Sequence, residues 1–363
     1  MRVLHIINNL ANGGAERLLV NFLPRLAEKC ESLELLILVK DGSLQSYIDE
    51  LESNNVKVSF LKLSGSLYNP QLIYLLYSFF RRKKYDVIHV HLFPSLYYMS
   101  IIQKFCKYDS KLFFTEHSIN NRRLNHVKYQ WIDKWIYASY INIVAISEKI
   151  KLKLDVWLND KDKAVFVPNG VDIQLIESTK MYDLTTLNKW TENNKYIMMT
   201  ARFEYPKRQD LLIKLFKELP ENYILILAGE GSKKEPCENL VKELHVGHRV
   251  FFLGHRPDIL QLMKAVNLNM LFSEYEGMSG VTIEALAARR PFLGSDVSGI
   301  NDVVPTRQNL FSNGAQMETI KNIISKCETN QDELLNIQYK RAKQFDIGFM
   351  VDNYINLYKE NHG

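Results

Sequence analysis

Short apolar runs recur along the first half of the chain, with longer amphipathic stretches between them. The runs are Val3–Ile7, Leu33–Val39, Val56–Leu61, Val87–Val90, Leu112–Thr115, Ile143–Ile146 and Val165–Val167. They are rich in Val, Ile and Leu, and continuous apolar runs of this length read as parallel strands buried on both faces. Ala15–Lys29 and Pro70–Arg82 have helical length and spacing. Such strand–helix alternation predicts an open, doubly wound sheet. The pattern pauses over the polar residues 172–195. It resumes with Tyr196–Thr200, Tyr223–Ala228, Val250–Leu253, Leu268–Leu271 and Pro291–Leu293. Two α/β domains are therefore expected, 1–170 and 171–345, with a boundary near 168–175. Near the end, Phe349, Met350, Tyr354, Ile355 and Tyr358 fall at helical intervals within Gly348–Lys359. One face of that final helix must be buried.

Composition narrows the class. A chain of 363 residues suits two domains. With 46% apolar and 24% charged residues it can fill two cores, and disorder is excluded. The net charge of +5 is too mild to argue for nucleic acid. It suits anionic small molecules or an anionic membrane surface. Cys30, Cys106, Cys237 and Cys327 lie far apart without C-x-x-C spacing, which reads as reduced thiols rather than disulfides or a zinc site. Val3–Ile7 is too short for a signal-peptide core. No run approaches the ~18 apolar residues of a membrane span. A cytoplasmic protein is expected.

Ligands of open α/β sheets sit beyond the carboxyl ends of the strands, and six places there or nearby could carry chemistry. Asn8–Glu16 places Gly13-Gly14 between the first strand and first helix, where amides can approach an anion; a plain helix-entry turn is the alternative. His89-Val90-His91 puts two imidazoles on one side of a strand, which suits a structural or cleft-lining role better than metal ligation, since no third ligand is evident. Thr115–Ser118 carries His117 at another strand end. Thr200–Arg208 opens a helix with Arg202, Lys207 and Arg208, a diphosphate site or a solvated helix start. Glu276–Ala285 flanks a small loop with Glu276 and Glu284, the latter expected in the first helical turn, where it could also complement the dipole. Asp160-Lys161-Asp162 could hold a divalent metal but reads as a surface turn.

In order and spacing these segments resemble the family 4 glycosyltransferases of the GT-B fold. The resemblance runs nearly the whole chain. It rests on Gly13-Gly14-Ala15-Glu16, Val167–Asp172, Ala228-Gly229-Glu230-Gly231, the Glu-x7-Glu of Glu276 and Glu284, and Ser295–Ile300. It implies two Rossmann-like domains facing each other across a cleft, with the C-terminal helix (346–363) crossing back to the N-terminal, acceptor-side domain. It implies that Arg202 and Lys207 neutralise the donor diphosphate, that the Gly280 and Val281 backbone holds phosphate, and that Gly14 closes over it. Glu276 would bind hydroxyls of the sugar, Glu284 the ribose, and His117 would lie near the anomeric centre. His255 and Arg256 are expected near the base. Such enzymes retain the anomeric configuration and need no metal or other cofactor, because fixed cations and dipoles stabilise the leaving group.

The expected activity is therefore transfer of a hexose-type sugar from a UDP- or GDP-linked donor to a glycan or lipid-linked acceptor, in polysaccharide or glycoconjugate synthesis. Two alternatives are a sugar-nucleotide epimerase, whose acid/base pair has no visible counterpart, and a non-catalytic sugar-nucleotide-binding protein. One departure stands out: Arg289 occupies a position that is usually Gly, where a helix C-cap calls for a left-handed residue. Leu75–Lys84 ends in four cations, and Trp131 and Trp135 lie in a stretch with Arg122 and Arg123. Aromatics beside cations suit peripheral contact with an anionic membrane, at the inner face of the cell membrane.

Overall fold

The computed structural model describes residues 1–118, 126–186, 191, 193–327 and 331–360. Arg122 and Arg123 lie outside them. The chain divides into two compact units, Met1–Gly170 with Ile347–Gly363, and Val171–Asp346.

In the first unit the strands are β1 (Arg2–Ile7), β2 (Ser32–Val39), β3 (Lys57–Lys62), β4 (Val87–His91), β5 (Lys111–Glu116), β6 (Asn142–Ala145) and β7 (Ala164–Phe166). They form one seven-stranded sheet in the order β3-β2-β1-β4-β5-β6-β7. Every pairing is parallel. In the second unit β8 (Lys195–Thr200), β9 (Tyr223–Ala228), β10 (Val250–Gly254), β11 (Leu268–Leu271), β12 (Phe292–Ser295) and β13 (Leu310–Phe311) follow. They form a parallel six-stranded sheet ordered β10-β9-β8-β11-β12-β13. The strand order reverses between β1 and β4, and again between β8 and β11, which is where a doubly wound sheet opens a crevice.

The apolar runs foresee twelve of these strands. β13 escapes because it has only two residues, Leu310 and Phe311. The expectation of burial on both faces fails at β3, β7 and β10, whose residues are mostly half-buried. All three stand at sheet edges, where one flank meets no further strand.

Arg289 does adopt the left-handed conformation, with φ at +54° just past the helix Gly280–Ala287. A left-handed residue with a side chain costs about 1–2 kcal/mol. Its guanidinium stacks 3.8 Å from the centre of the Tyr339 ring, which offsets about 0.5–1 kcal/mol of that. Glycine could not supply that contact.

The last helix, Ile347–Lys359, belongs to the first unit although 176 residues of the second unit, Val171–Asp346, precede it. Met350, Val351, Tyr354, Ile355, Leu357 and Tyr358 are buried in the same core as Leu19, Phe22 and Leu23 of the helix Gly14–Ala27 and Ile7 of β1. Six such side chains are worth on the order of 10 kcal/mol, about the whole stability of an ordinary domain. A chain ending at Asp346 is therefore expected to lose the cooperative thermal transition of the first unit while keeping that of the second. Two intact transitions in calorimetry would show the helix to be dispensable.

Candidate functional site

In the second unit the chemistry gathers on two loops from adjacent strands. The loop 201–208 follows β8 and enters the helix Gln209–Phe216; the loop 272–279 follows β11. Backbone bonds join them: the Arg208 amide donates to Phe272 and the Glu274 amide to Pro206, each at 3.1 Å. Side chains extend the join. Arg208 donates to Glu274 at 2.6 Å and to both oxygens of Asp210 at 2.9 and 2.8 Å, and the Tyr205 hydroxyl donates to Glu274 at 2.8 Å. Tyr205 and Arg208 together hold the Glu274 carboxyl below the usual carboxylate range. Arg208 is thus committed to clamping the loops.

Held by that clamp, Lys207 and Glu276 form a half-buried ion pair. The expected phosphate ligand and the expected sugar ligand therefore touch each other across the loop join. Arg202 is exposed, and its guanidinium makes no ion pair among the described residues. Its own carbonyl accepts from Gln209 at 3.0 Å, which fixes the backbone that carries it.

Beyond Glu276, Ser279 caps the helix Gly280–Ala287 by accepting from the Thr282 amide at 3.2 Å. The amides of Gly280 and Val281, at the positive end of the helix dipole, find no acceptor among the described residues. A Cβ built on Gly280 would meet nothing within 4 Å, so packing does not demand glycine there. Glu284 stands one turn further, fifth in the helix. The expectation that it lies in the first turn is corrected, because the helix begins only at Gly280. That position removes the reading of Glu284 as a dipole complement.

Other glycines are demanded by the fold. A Cβ on Gly229 would come within 2.1 Å of the Ala201 carbonyl, and on Gly231 within 2.5 Å of the Phe203 carbonyl. Both have positive φ. The Gly-x-Gly after β9 thus lets that loop lie against the backbone bearing Arg202. Gly299 (φ +82°) does the same beneath Glu276, where a Cβ would sit 2.7 Å from that of Glu276, and its carbonyl accepts from the Ser279 amide at 3.1 Å. Residue spacing gave no signal for Gly299, Glu274 or Tyr205 as supports. His255 is exposed, and Arg256 is engaged by Asp258 at 2.6 and 2.7 Å.

In the first unit Gly14 opens the helix Gly14–Ala27, and a Cβ there would meet nothing within 4 Å. Gly13, the cap residue, lies under the Glu16 carboxylate, 2.0 Å from where its Cβ would be. His117 follows β5 and is half-buried. Its Nε2 lies 3.1 Å from His91 Nδ1. His91 and His89 are on one side of β4, stacked 4.7 Å apart with rings 10° from parallel, and both are buried. The Asp160 carboxylate accepts from the Asp162 amide at 3.0 Å, closing an exposed turn. Among the described residues no three His, Cys, Asp or Glu gather as a metal site.

The fold and these loops define a two-domain Rossmann-like α/β protein. Residues 187–345 match the model of Glycosyl transferases group 1, and residues 12–175 match that of Glycosyltransferase Family 4. The uncharacterized glycosyltransferase MJ1607 of Methanocaldococcus jannaschii is 25% identical over 62% of this chain, which spans 61% of that protein. The N-acetylgalactosamine-N,N'-diacetylbacillosaminyl-diphospho-undecaprenol 4-alpha-N-acetylgalactosaminyltransferase of Campylobacter jejuni is 23% identical over 94% of each chain. The crystal structure of Anabaena Alr3699/HepE in complex with UDP and glucose shares the fold, with a TM-score of 0.84 over 98% of this chain and 99% of that one, at 20% identity. The chain belongs to the family 4 glycosyltransferases of the GT-B fold.

Burial lowers every imidazole of the first-unit cluster: His5 to about 3, His117 to about 4, His89 and His91 well below the ordinary value. Their pKa values are depressed on folding, so the unfolded chain takes up more protons as pH falls below the unfolded value of about 6.5. Stability is complete above that pH and is lost below it. For the three fully buried rings the loss by pH 5.5 is on the order of 1 kcal/mol each, in a window where carboxylates remain largely ionised. The melting temperature of the first unit is expected to fall between pH 7 and 5.5. A flat profile over that window would contradict the burial of neutral histidines.

Proposed function

We propose that the protein transfers a hexose-type sugar, with retention of configuration, from a nucleoside-diphosphate sugar to a lipid-linked or other glycan acceptor. The observation that carries this reading is the joining of the two loops, which brings Lys207, Glu276 and the Gly280 and Val281 amides, unpaired among the described residues, together beyond the carboxyl ends of β8 and β11. Lys207 has three N–H donors, so it can keep one on Glu276 and offer others to a diphosphate. Arg202 adds a second cation, and the Gly280 and Val281 amides bind phosphate oxygens as helix N-termini do. Fixed donors of this kind stabilise the charge that develops on the departing nucleoside diphosphate, with no resident metal in the scheme.

Glu276, oriented by Lys207, accepts from hydroxyls of the transferred sugar, and Glu284 accepts from the ribose. His255 and Arg256 serve the base, Arg256 being already braced by Asp258. On the first unit, Gly14 offers its amide to phosphate and His117 faces the sugar. Two comparisons support the choice of ligands: HepE was crystallised with UDP and glucose, and the Campylobacter relative is named for a diphospho-undecaprenol-linked acceptor. The epimerase and binding-protein alternatives gain nothing from the Campylobacter relative, which is named a transferase.

A lipid-linked acceptor fits peripheral contact with an anionic membrane at its cytoplasmic face. Trp131 and Trp135 are exposed on the helix Gln130–Tyr137, beside exposed Val127, and Lys104 lies 4.5 Å over the Trp135 ring. Leu75–Lys84 contributes less, because Leu76 and Phe80 are buried and Lys83 is bound to Glu34. No helix among the described residues is long and apolar enough to cross a membrane.

The test is calorimetric titration with UDP and with GDP, in EDTA and then with magnesium. One nucleotide is expected to bind without metal, and Lys207→Ala to weaken it about 10–100-fold, the worth of a charge-assisted hydrogen bond. Glu276→Ala is expected to abolish most turnover while binding holds or tightens, since the cation is released from its partner. Parallel loss of binding and turnover in Glu276→Ala would refute the assigned role. Binding only with magnesium would refute the metal-free scheme.

A further inference from the structure

A continuous chain of hydrogen bonds runs through the interior of the first unit and ends at His117. Its links are Tyr354 Oη to Thr115 Oγ1 at 3.2 Å, Thr115 Oγ1 to His89 Nε2 at 2.7 Å, and His89 Nδ1 to Tyr358 Oη at 2.7 Å. It continues from Tyr358 Oη to His5 Nε2 at 3.4 Å, His5 Nδ1 to His91 Nε2 at 2.9 Å, and His91 Nδ1 to His117 Nε2 at 3.1 Å. The contributors come from β1, β4, β5 and the final helix. Tyr354, Thr115, His89, Tyr358, His5 and His91 are all at most 1% exposed.

The direction of the protons along this chain follows from its closed end. Each hydroxyl has one proton, and each neutral imidazole donates through one nitrogen and accepts through the other. Among the described residues Thr115 is the one side-chain partner of the Tyr354 hydroxyl. A buried O–H left without an acceptor is costly, so Tyr354 donates to Thr115. The Thr115 proton must then go to His89 Nε2. His89 therefore carries its proton on Nδ1 and gives it to Tyr358, whose own proton goes to His5. His5 in turn donates to His91, and His91 donates from Nδ1 to His117. Reversing any link strands a proton at the apolar end.

We propose that this chain holds His117 as the neutral tautomer protonated on Nδ1, so that its outward nitrogen is a hydrogen-bond donor that recognises an oxygen acceptor, with His91 and Tyr358 as positioning residues. Nδ1 has no partner among the described residues. The acceptor is a hydroxyl or ring oxygen of the sugar, which rests on the transferase reading above; an ammonium or amide N–H would be repelled. Burial lowers all four imidazoles, which keeps the chain neutral near pH 7. Glu116 is the adjacent carboxylate in sequence, but strand alternation turns it to the other face, where Tyr137 and the Ser118 amide bond it. Among the described residues no carboxylate hydrogen-bonds to the four imidazoles that form this chain.

The test is the imidazole 15N spectrum of the full-length protein near pH 7, with His117→Gln used to assign the His117 signals. The Nδ1–H form is expected to exceed the Nε2–H form by at least about tenfold, the penalty of one stranded buried donor. Tyr358→Phe keeps the ring and removes the relay, and the ratio at His117 is expected to fall toward unity. Thr115→Val cuts the chain at a second point and is expected to do the same, should Tyr358→Phe fail to fold. An Nε2–H or doubly protonated His117 in the wild type, or a ratio that neither variant moves, would overturn the proposal. Because the spectrum needs no substrate, the network and the transferase reading fail separately. The inferred tautomer without nucleotide binding would sink the transferase reading, and nucleotide binding with the other tautomer would sink the network.

Discussion

A buried imidazole needs a partner for each nitrogen, and in the first unit one of those partners, Tyr358, comes from the far end of the chain. His5, His89 and His91 sit on adjacent β1 and β4, facing the layer that the final helix fills. An apolar helix there would leave His89 Nδ1 and His5 Nε2 without their Tyr358 partner, at a cost of some kcal/mol each. Tyr354 and Tyr358 both give ring area to the core; the Tyr358 hydroxyl meets His89 and His5, and the Tyr354 hydroxyl meets Thr115. The return of the chain to the first unit is thus an electrostatic requirement as well as a hydrophobic one.

The second unit solves a different problem, that of holding like and unlike charges at a loop edge without collapse. Arg208 and Glu274 neutralise each other and tie the loops, while Lys207 and Glu276 are held together close by. The supporting glycines, Gly229, Gly231 and Gly299, let three loops stack backbone on backbone. Gly14 and Gly280 differ from them in that, among the described residues, no neighbour requires their lack of a side chain. Glycine at those two helix starts leaves their first-turn amides sterically open among the described residues.

Much of this was legible along the chain. The strands announced themselves because the central parallel strands are buried and even the half-buried edge strands keep apolar runs; only the two-residue β13 was too short to register. Candidate residues were found because they follow strand ends, and the sheet topology puts ligands there. Arg289 was readable as a conflict with left-handed geometry, and it proved to be left-handed.

The sequence by itself determined which segments become strands and helices, and which short loops carry cations, carboxylates and glycines, because both follow from local periodicity and local chemistry. Tertiary structure alone decided which of these meet. The pairing of Lys207 with Glu276, the support of Glu276 by Gly299, and the relay from Tyr354 to His117 join residues separated by tens to hundreds of positions. Such contacts leave no trace in spacing, because they depend on strand order, and strand order is settled by how whole elements pack.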